Sequence, residues 1–268
     1  MRLIGLIFGV FGISFFVLAL VRFGGLSQSY KEFETPYFSV PANPTAAETG
    51  LETVSIIIPW EQSFWLQKMP HLILWTEVYR GDGETLLVKP WVDRDKALKT
   101  LEKVANPARP LLKDLLVKFP QTRFVVQCND NVENIHRQLA QVIEEAKATE
   151  RVLIQSNYNS ILVSTKELLP RALYGSSPAD YTRLKVFDSL WILPSVPFKG
   201  DVFFGPLIYR GRSTINSDIV IEMKRRFKKV FLGPLLSQEE VDKAIALGAD
   251  GLFVEDPIMV HRPASPNL

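Results

Sequence analysis

The segment Ser237–Pro257, SQEEVDKAIALGADGLFVEDP, contains a capped helix, a tight turn and a buried strand in immediate succession. Gly248 stands where the helical pattern ends, and glycine readily adopts the left-handed conformation that closes a helix. Gly251 carries no side chain at the start of the following strand, so that strand can pack close to its neighbour. A helix that leads directly into a buried strand is typical of a parallel α/β sheet.

The same alternation of buried strands and helices extends back along the chain from Val54. The predicted strands are Val54–Ile58, Leu72–Tyr79, Leu86–Lys89, Arg123–Cys128, Val152–Gln155, Val202–Phe204, Val230–Leu232 and Leu252–Glu255. The predicted helices are Ala97–Val104, Leu111–Lys118, Val132–Thr149, Ser160–Leu169, Asp218–Phe227 and Gln238–Leu247. Nearly eight strands in more than 200 residues favour a (β/α)8 TIM barrel, an α/β fold. A doubly wound sheet is the alternative, but no glycine-rich nucleotide loop follows any strand.

Two local features qualify this pattern. Leu72–Tyr79 and Leu86–Lys89 are expected to form a hairpin around the turn Gly81-Asp82-Gly83. The span Ser176–Gly200 contains several prolines and is expected to be long and irregular, either covering the barrel mouth or presenting a surface for a protein partner.

Composition limits the functional classes. The 268 residues are 47% hydrophobic and 22% charged, with a formal net charge of +2, so nothing indicates a nucleic-acid partner. Cys128 is the single cysteine and there are three histidines, which excludes a disulfide framework and argues against a histidine metal site.

The N-terminal segment Leu3–Val21 contains no charge and is about as long as a helix that spans a bilayer. We therefore predict a transmembrane signal anchor at residues 1–23, in a single-pass membrane protein with the barrel on the extracytoplasmic side. A cleaved signal peptide is the alternative, although no typical cleavage site ends the segment.

The remaining boundaries follow from composition. Residues 24–51 are predicted to be a linker, from which Phe33, Tyr37 and Phe38 could pack against the barrel. The barrel is assigned to residues 52–260 and a short tail to residues 261–268.

The C-terminal segment resembles the end of the glycerophosphodiester phosphodiesterase family, a group of TIM barrels in the phospholipase C-like phosphodiesterase superfamily. The resemblance to the family pattern GVDGIITDRP runs through Gly248, Asp250, Gly251 and Pro257. Val152–Pro170 is similar to the family's fourth strand and following helix, and the predicted hairpin is similar to its ELDVQLTKDGVPVVIHD segment.

The resemblance implies a phosphodiester hydrolase that uses Ca²⁺ or Mg²⁺ and two histidines as general acid and base. Here Pro59 or Trp60 stands at the first histidine, which the family carries in an HRG motif. Lys89 and Pro90 replace the His-Asp pair that ends the family hairpin. A lysine can hold a phosphate as a point charge but is a poor substitute for imidazole as an acid or base near neutral pH.

Most metal ligands implied by the resemblance are also replaced. The family's E-x-D pair falls on Trp75 and Glu77, or on Leu74 and Thr76 in an ungapped alignment. Further replacements relative to the family are Gln127 for a glutamate, Asn129 for a lysine, Gly233 for a tryptophan and Val254-Glu255 for a Thr-Asp pair. Glu77 is the residual candidate ligand, so we expect no resident metal.

The sequence thus predicts a degenerate member of this family that has lost catalysis and acts at a membrane as a binding or scaffold module. Its ligand would be a glycerophosphodiester, a phospholipid head group or a protein. The candidate ligand-binding residues at the barrel mouth are Glu77, Lys89, Gln127, Asn129, Gln155 and Glu255. An active divergent phosphodiesterase that uses Ca²⁺ or Mg²⁺ is the alternative. The basic cluster Lys224–Lys229 either touches anionic lipid or complements a helix dipole.

Overall fold

Eight parallel strands form the centre of the fold. The structure, a computed structural model, describes residues 2–32, 35–38, 54–82, 85–90 and 109–261. The strands are β1 (Ser55–Pro59), β2 (Ile73–Arg80), β3 (Leu86–Lys89), β4 (Arg123–Cys128), β5 (Val152–Gln155), β6 (Leu173–Tyr174), β7 (Val202–Gly205), β8 (Ile208–Tyr209), β9 (Arg212–Ser213), β10 (Lys229–Leu235) and β11 (Gly251–Val254). The α-helices are α1 (Arg2–Leu26), α2 (Leu112–Lys118), α3 (Ile135–Glu145), α4 (Asn159–Leu168), α5 (Pro178–Ser189), α6 (Ser217–Arg225), α7 (Gln238–Ala246) and α8 (Ile258–His261).

The strand order confirms the predicted barrel. The parallel strands run β6-β5-β4-β2-β1-β11-β10-β7, with β3 antiparallel to β2 at the predicted hairpin. The first and last strands pair directly, with Ser55 opposite Gly251. Gly248 has a φ of +81°, as expected for the residue that ends α7, and a side chain at Gly251 would collide with the ring of Phe231.

Side chains close the barrel where the path of paired strands ends, between β6 and β7. The Ser176 hydroxyl accepts a hydrogen bond from the Phe204 N–H at 2.9 Å and donates one to its carbonyl at 3.0 Å. Gln155 Nε2 donates to the Ser176 carbonyl at 2.6 Å, and the Asp201 N–H donates to the Tyr174 carbonyl at 2.8 Å. The β6–β7 seam is thus held by a polar network rather than by a regular ladder.

Aromatic rings fill the barrel interior. The inward-facing side chains that form one buried cluster are Ile57, Ile73, Trp75, Val125, Leu153, Leu173, Val202, Phe204, Phe231 and Phe253, together with Tyr37. Trp75 and Phe253 stack at a centroid distance of 5.2 Å, and Phe204 lies 6.4 Å from Phe231 and 6.5 Å from Phe253. A barrel of this size has to be filled by side chains, and here large rings supply most of the volume.

Tyr37 and Phe38, from the predicted linker, plug the amino-terminal end of the barrel. Tyr37 is fully buried, and its hydroxyl donates to the Phe124 carbonyl at 3.3 Å. Arg123 donates to the Tyr37 carbonyl at 3.0 Å, and Phe38 meets Phe231 edge-on at 6.2 Å. The predicted packing of Tyr37 and Phe38 is confirmed, while Phe33 lies outside the described residues.

The prediction of a long irregular span at Ser176–Gly200 was wrong. Residues Pro178–Ser189 form α5, which begins with a capping box between Ser177 and Asp180 and with proline in its first turn. The short strand Leu173–Tyr174, which precedes this helix, was also missed. Both helix-start signals are present in the sequence.

Other predicted boundaries shift by only a few residues. The helix predicted at Val132–Thr149 is limited to Ile135–Glu145, because Asn134 and Lys147 have φ values of +61° and +50° and interrupt the helix. The predicted helix Ala97–Val104 and the turn residue Gly83 lie outside the described residues.

The apolar N-terminal segment forms α1, whose side chains are described from Gly12 onward. In the described part of the chain, no helix combines the length and the hydropathy that a membrane crossing requires.

From the hydrogen bonds of the β6–β7 seam we predict how much stability the protein loses without the Ser176 hydroxyl. Ser176→Ala removes both bonds to Phe204 in a buried setting, so we expect the free energy of unfolding in urea to fall by about 1–3 kcal/mol. Ser189→Ala is the matched control, because its hydroxyl bonds the Val186 carbonyl in an exposed position. Equal losses for the two variants would contradict the assigned role of Ser176.

Candidate functional site at the barrel mouth

Three predicted site residues lie side by side where neighbouring strands end. Glu77 of β2 pairs in register with Gln127 of β4, which in turn pairs with Gln155 of β5. Each is two residues beyond a member of the aromatic and aliphatic interior cluster, so each points toward the barrel axis. The structure therefore brings these three side chains together at the mouth, directly above the filled interior.

Glu77 and Lys89 form an ion pair across the hairpin. The two residues are directly opposite in the antiparallel register, and Lys89 Nζ lies 3.2 Å from Glu77 Oε1. The Lys89 side chain is 47% exposed and that of Glu77 is 23% exposed. Trp60 Nε1 also donates to the Lys89 carbonyl at 3.3 Å, which ties the hairpin end to the connection after β1. The carboxylate at the mouth is thus already neutralised by a neighbouring cation.

Trp75 occupies the interior position next to Glu77. Its indole N–H donates to Gln127 Oε1 at 3.1 Å, its ring stacks on Phe253, and the residue is only 3% exposed. Leu74 instead belongs to the cluster that faces the helices. Trp75 and Glu77 therefore occupy inward-facing positions, as the first of the two alignments of the E-x-D pair requires. In that alignment, the Trp75 indole takes the place of the first acidic residue.

Gly233 leaves room for this arrangement. A Cβ at Gly233 would lie 2.5 Å from the Phe253 Cβ and 2.6 Å from its carbonyl oxygen, and its φ is +149°. No side chain can project into the mouth from this position while Phe253 stacks on Trp75.

The other predicted site residues have separate roles. Gln155 donates into the β6–β7 seam, and a side chain at Gly175 would collide with its Oε1. Asn129 Oδ1 accepts the Asn157 N–H at 2.9 Å and so links the connections after β4 and β5. Glu255 directly follows β11 and is exposed to solvent. Pro59 ends β1 and is buried.

The described residues at the mouth do not fit a Ca²⁺ or Mg²⁺ ion. Such ions take several oxygen ligands, usually including carboxylates. Glu77 is paired with Lys89, and Gln127 accepts the indole N–H. Among the residues that the structure describes, no three His, Cys, Asp or Glu side chains are grouped so that they could hold a metal.

Polar residues just after β4 and β5 organise the mouth and were missed by the sequence analysis. Asp130 Oδ2 accepts the Arg80 N–H at 2.8 Å and so fixes the end of the β2 strand. The Ser156 hydroxyl donates to the Cys128 carbonyl at 2.6 Å and accepts the Tyr158 N–H at 3.0 Å. Of these bonds, only the one from the Tyr158 N–H to Ser156 is local enough for a sequence pattern to indicate it, since Arg80 and Cys128 lie on neighbouring strands.

Apolar side chains surround the mouth. Six large side chains on six different connections after strands are between 38% and 60% exposed, and none was singled out in the sequence. They are Phe64, Val132, Tyr158, Ile208, Leu236 and Ile258, which we call the mouth rim. Single exposed apolar residues are common, but six on one face of a barrel suit a surface that contacts another molecule.

The exposure of the ion pair predicts a weak interaction. In a double-mutant cycle with Glu77→Gln and Lys89→Met, we expect a coupling energy below about 1 kcal/mol that decreases with added salt. Lys113 and Glu145, a similarly exposed pair 2.7 Å apart, provide the matched cycle. A coupling of several kcal/mol for Glu77 and Lys89 would show that the mouth is much less accessible to water than this geometry implies.

Burial of Cys128 makes its thiol unreactive in the folded protein. Burial raises the pKa of the thiol from 9.0 to about 11, although a backbone hydrogen bond at Asp130 lowers it. Because the folded pKa is raised, the thiol's contribution to stability is present below about pH 9 and is lost as the pH rises toward 11. At pH 8, we expect a disulfide reagent to modify Cys128 only as fast as the protein unfolds. Immediate modification of the folded chain would contradict this.

Several solved structures with a similar fold are phosphodiesterases. A glycerophosphodiester phosphodiesterase from Parabacteroides distasonis superposes with a TM-score of 0.58 at 12% identity, covering 78% of this chain and 95% of that one. An Oleispira antarctica phosphodiesterase, solved with its product sn-glycerol-3-phosphate, gives 0.54 at 12% identity, covering 78% and 96%. A glycerophosphodiester phosphodiesterase from Agrobacterium tumefaciens gives 0.53 at 8% identity, covering 78% and 100%.

No protein-family model matches the chain, and no curated protein sequence matches it significantly. The likeness therefore rests on three-dimensional structure at identities of about one residue in eight or fewer. This chain has the barrel fold of these solved phosphodiesterases, at a sequence identity of 8–12%.

Proposed function

We propose that this barrel is a non-catalytic binding module that uses its mouth to hold a ligand or a protein partner. The observation that carries the proposal is the position of Trp75. Its ring fills the inward-facing place beside Glu77, donates to Gln127 and stacks on Phe253. A metal-dependent phosphodiester hydrolase needs several oxygen ligands at this level of the barrel. Here that volume is apolar and closely packed.

The acid–base groups support the same proposal. Lys89, at the position of the second histidine, is held by Glu77, and Pro59, at the position of the first, has no titratable group. General acid–base catalysis needs groups that exchange a proton near neutral pH, for which imidazole is suited and these side chains are not. The mouth rim offers apolar contact area in place of a catalytic centre.

A membrane anchor is the second part of the proposal. The described part of α1 exposes apolar side chains on the sides that do not contact the barrel, including Ile13 at 68%, Phe15 at 64%, Phe16 at 61% and Phe23 at 63%. A helix that is apolar all round is stable only in an apolar environment. Together with the uncharged run Leu3–Val21, this supports a single-pass anchor with the barrel on the extracytoplasmic side.

The alternative function is an active, divergent phosphodiesterase, which the barrel fold favours. Hydrolysis assays on the variant Lys89→Ala distinguish this alternative from the non-catalytic proposal. We expect the full-length chain to hydrolyse a glycerophosphodiester no faster than this variant in the presence of Ca²⁺, Mg²⁺ or Mn²⁺, because no described group of residues provides a metal site. Turnover that EDTA abolishes and Lys89→Ala reduces would contradict the non-catalytic proposal.

A thermal-shift measurement distinguishes a ligand sensor from a scaffold. A ligand that binds only the folded chain raises the Tm. If glycerol phosphate or a soluble head-group analogue binds at the mouth, the Tm of the native chain rises and that of Lys89→Ala rises less. If the module is a protein scaffold, neither Tm changes.

A further inference from the structure

The C-terminal half of α1 is docked on the amino-terminal end of the barrel, opposite the mouth. Arg22 Nη1 donates to the Trp191 carbonyl at 2.7 Å, and the Ser195 hydroxyl donates to the Val21 carbonyl. Arg225 Nη2 donates to the Gly25 carbonyl at 3.3 Å. Trp191 and Ser195 lie between α5 and β7, and Arg225 ends α6 just before β10. Connections that lead from a helix into a strand lie at the amino-terminal face of a TIM barrel.

This docking is closely fitted. A Cβ at Gly25 would lie 2.5 Å from the Pro194 carbonyl carbon, so no larger residue fits at this contact. The loop beneath it is fixed by Arg226, which is buried and donates to the Val196 carbonyl at 2.6 Å and the Pro194 carbonyl at 2.9 Å. Glu222 in turn holds the Arg226 guanidinium, with Nε and Oε1 2.6 Å apart. The exit direction of α1 is therefore set by the barrel.

Apolar side chains surround the point where α1 leaves. Leu190, Trp191 and Phe227 are 46%, 50% and 49% exposed and lie at the ends of α5 and α6; we call them the exit face. Trp191 and Phe227 have φ values of +63° and +56°, a conformation in which large residues are uncommon. Trp191 and Phe227 thus carry large apolar side chains at positions whose backbone conformation glycine adopts more readily.

Trp191 also connects the exit face with α1. Its ring stacks on Phe15 at 6.2 Å, and the Arg22 guanidinium lies 4.2 Å from the ring centroid. Tryptophan is enriched at the boundary between bilayer and water, and an arginine at the end of an apolar helix extends its charge toward that boundary.

The basic cluster Lys224–Lys229 keeps an excess of positive charge beside this face. Arg225 and Arg226 share Glu222, Lys228 Nζ lies 3.8 Å from Asp201, and Lys229 Nζ lies 3.7 Å from Asp250. Three carboxylates thus face five cations, and Asp201 is also paired with Lys166, so apolar contact through the exit face would be accompanied by attraction to anionic lipid.

We propose that the exit face lies against the phospholipid bilayer that α1 enters, so that the barrel mouth opens away from that bilayer. The inference rests on the anchor proposed above and adds its orientation. The mouth is then on the order of 20 Å from the membrane surface, given the rise of a strand as long as β2. Its ligand is reached from the aqueous phase and is not a lipid of the anchoring leaflet.

Single-cysteine spin labels on the full-length chain test this orientation in vesicles of phosphatidylcholine. Phe227→Cys labels the exit face, Glu255→Cys the mouth, and Phe16→Cys the anchor itself. The native Cys128 is buried, so the labelled wild type provides the background. We expect the ratio of collisions with oxygen to collisions with a water-soluble nickel chelate to be several-fold higher at residues 227 and 16 than at residue 255. Addition of phosphatidylglycerol should raise the ratio at residue 227 further, because the basic cluster keeps an excess of positive charge.

Three outcomes would overturn the inference. A lipid-exposed label at residue 255 with a water-exposed label at residue 227 would reverse the orientation. A lipid-exposed label at residue 16 with water-exposed labels at 227 and 255 would leave the anchor in place and reject the contact of the exit face. Water-exposed labels at all three positions would reject the anchor and the orientation together. Leu190→Cys provides a second exit-face position if Phe227→Cys fails to fold.

Discussion

The close packing of aromatic rings on the barrel axis is the constraint on which the rest of this structure depends. An eight-stranded barrel encloses a volume that its own side chains must fill. Phe231, Phe204, Phe253 and Trp75 fill it from the amino-terminal end up to the level where the strands end. Because interiors are packed as densely as organic crystals, rings at that level leave little room for further side chains or water.

Several features of the mouth follow from this filling. Gly233 has no side chain because Phe253 occupies the adjacent space. Gln127 accepts the indole N–H of Trp75 through its side-chain oxygen. Gln155 serves the β6–β7 seam, so a residue that faces the mouth acts mainly to close the barrel. The polar residues that remain at the mouth therefore support the fold.

Much of the fold could be predicted from local patterns, and much of the site could not. The strands Arg123–Cys128 and Val152–Gln155 were predicted to the residue, because buried runs bounded by turns are a strong signal. The helix Pro178–Ser189 was missed because its prolines were interpreted as loop signals, although one of them starts the helix. The pairing of Glu77 with Lys89 follows from the register of the hairpin, which places the two residues directly opposite each other. Gln155 donates to the carbonyl of Phe204, which is distant in sequence. No local sequence pattern could therefore indicate this role.

The plug formed by Tyr37 and Phe38 gives the chain between α1 and the barrel two different sensitivities to proteolysis. A cut between Leu26 and Thr35 would release a barrel whose amino-terminal end remains sealed, since Tyr37 stays bonded to Phe124 and Arg123. A cut directly after Phe38 would leave the plug without a covalent link to the barrel and free to dissociate, exposing Phe231 to water. The site of cleavage would therefore decide whether the barrel keeps its amino-terminal end sealed or opens its interior to water.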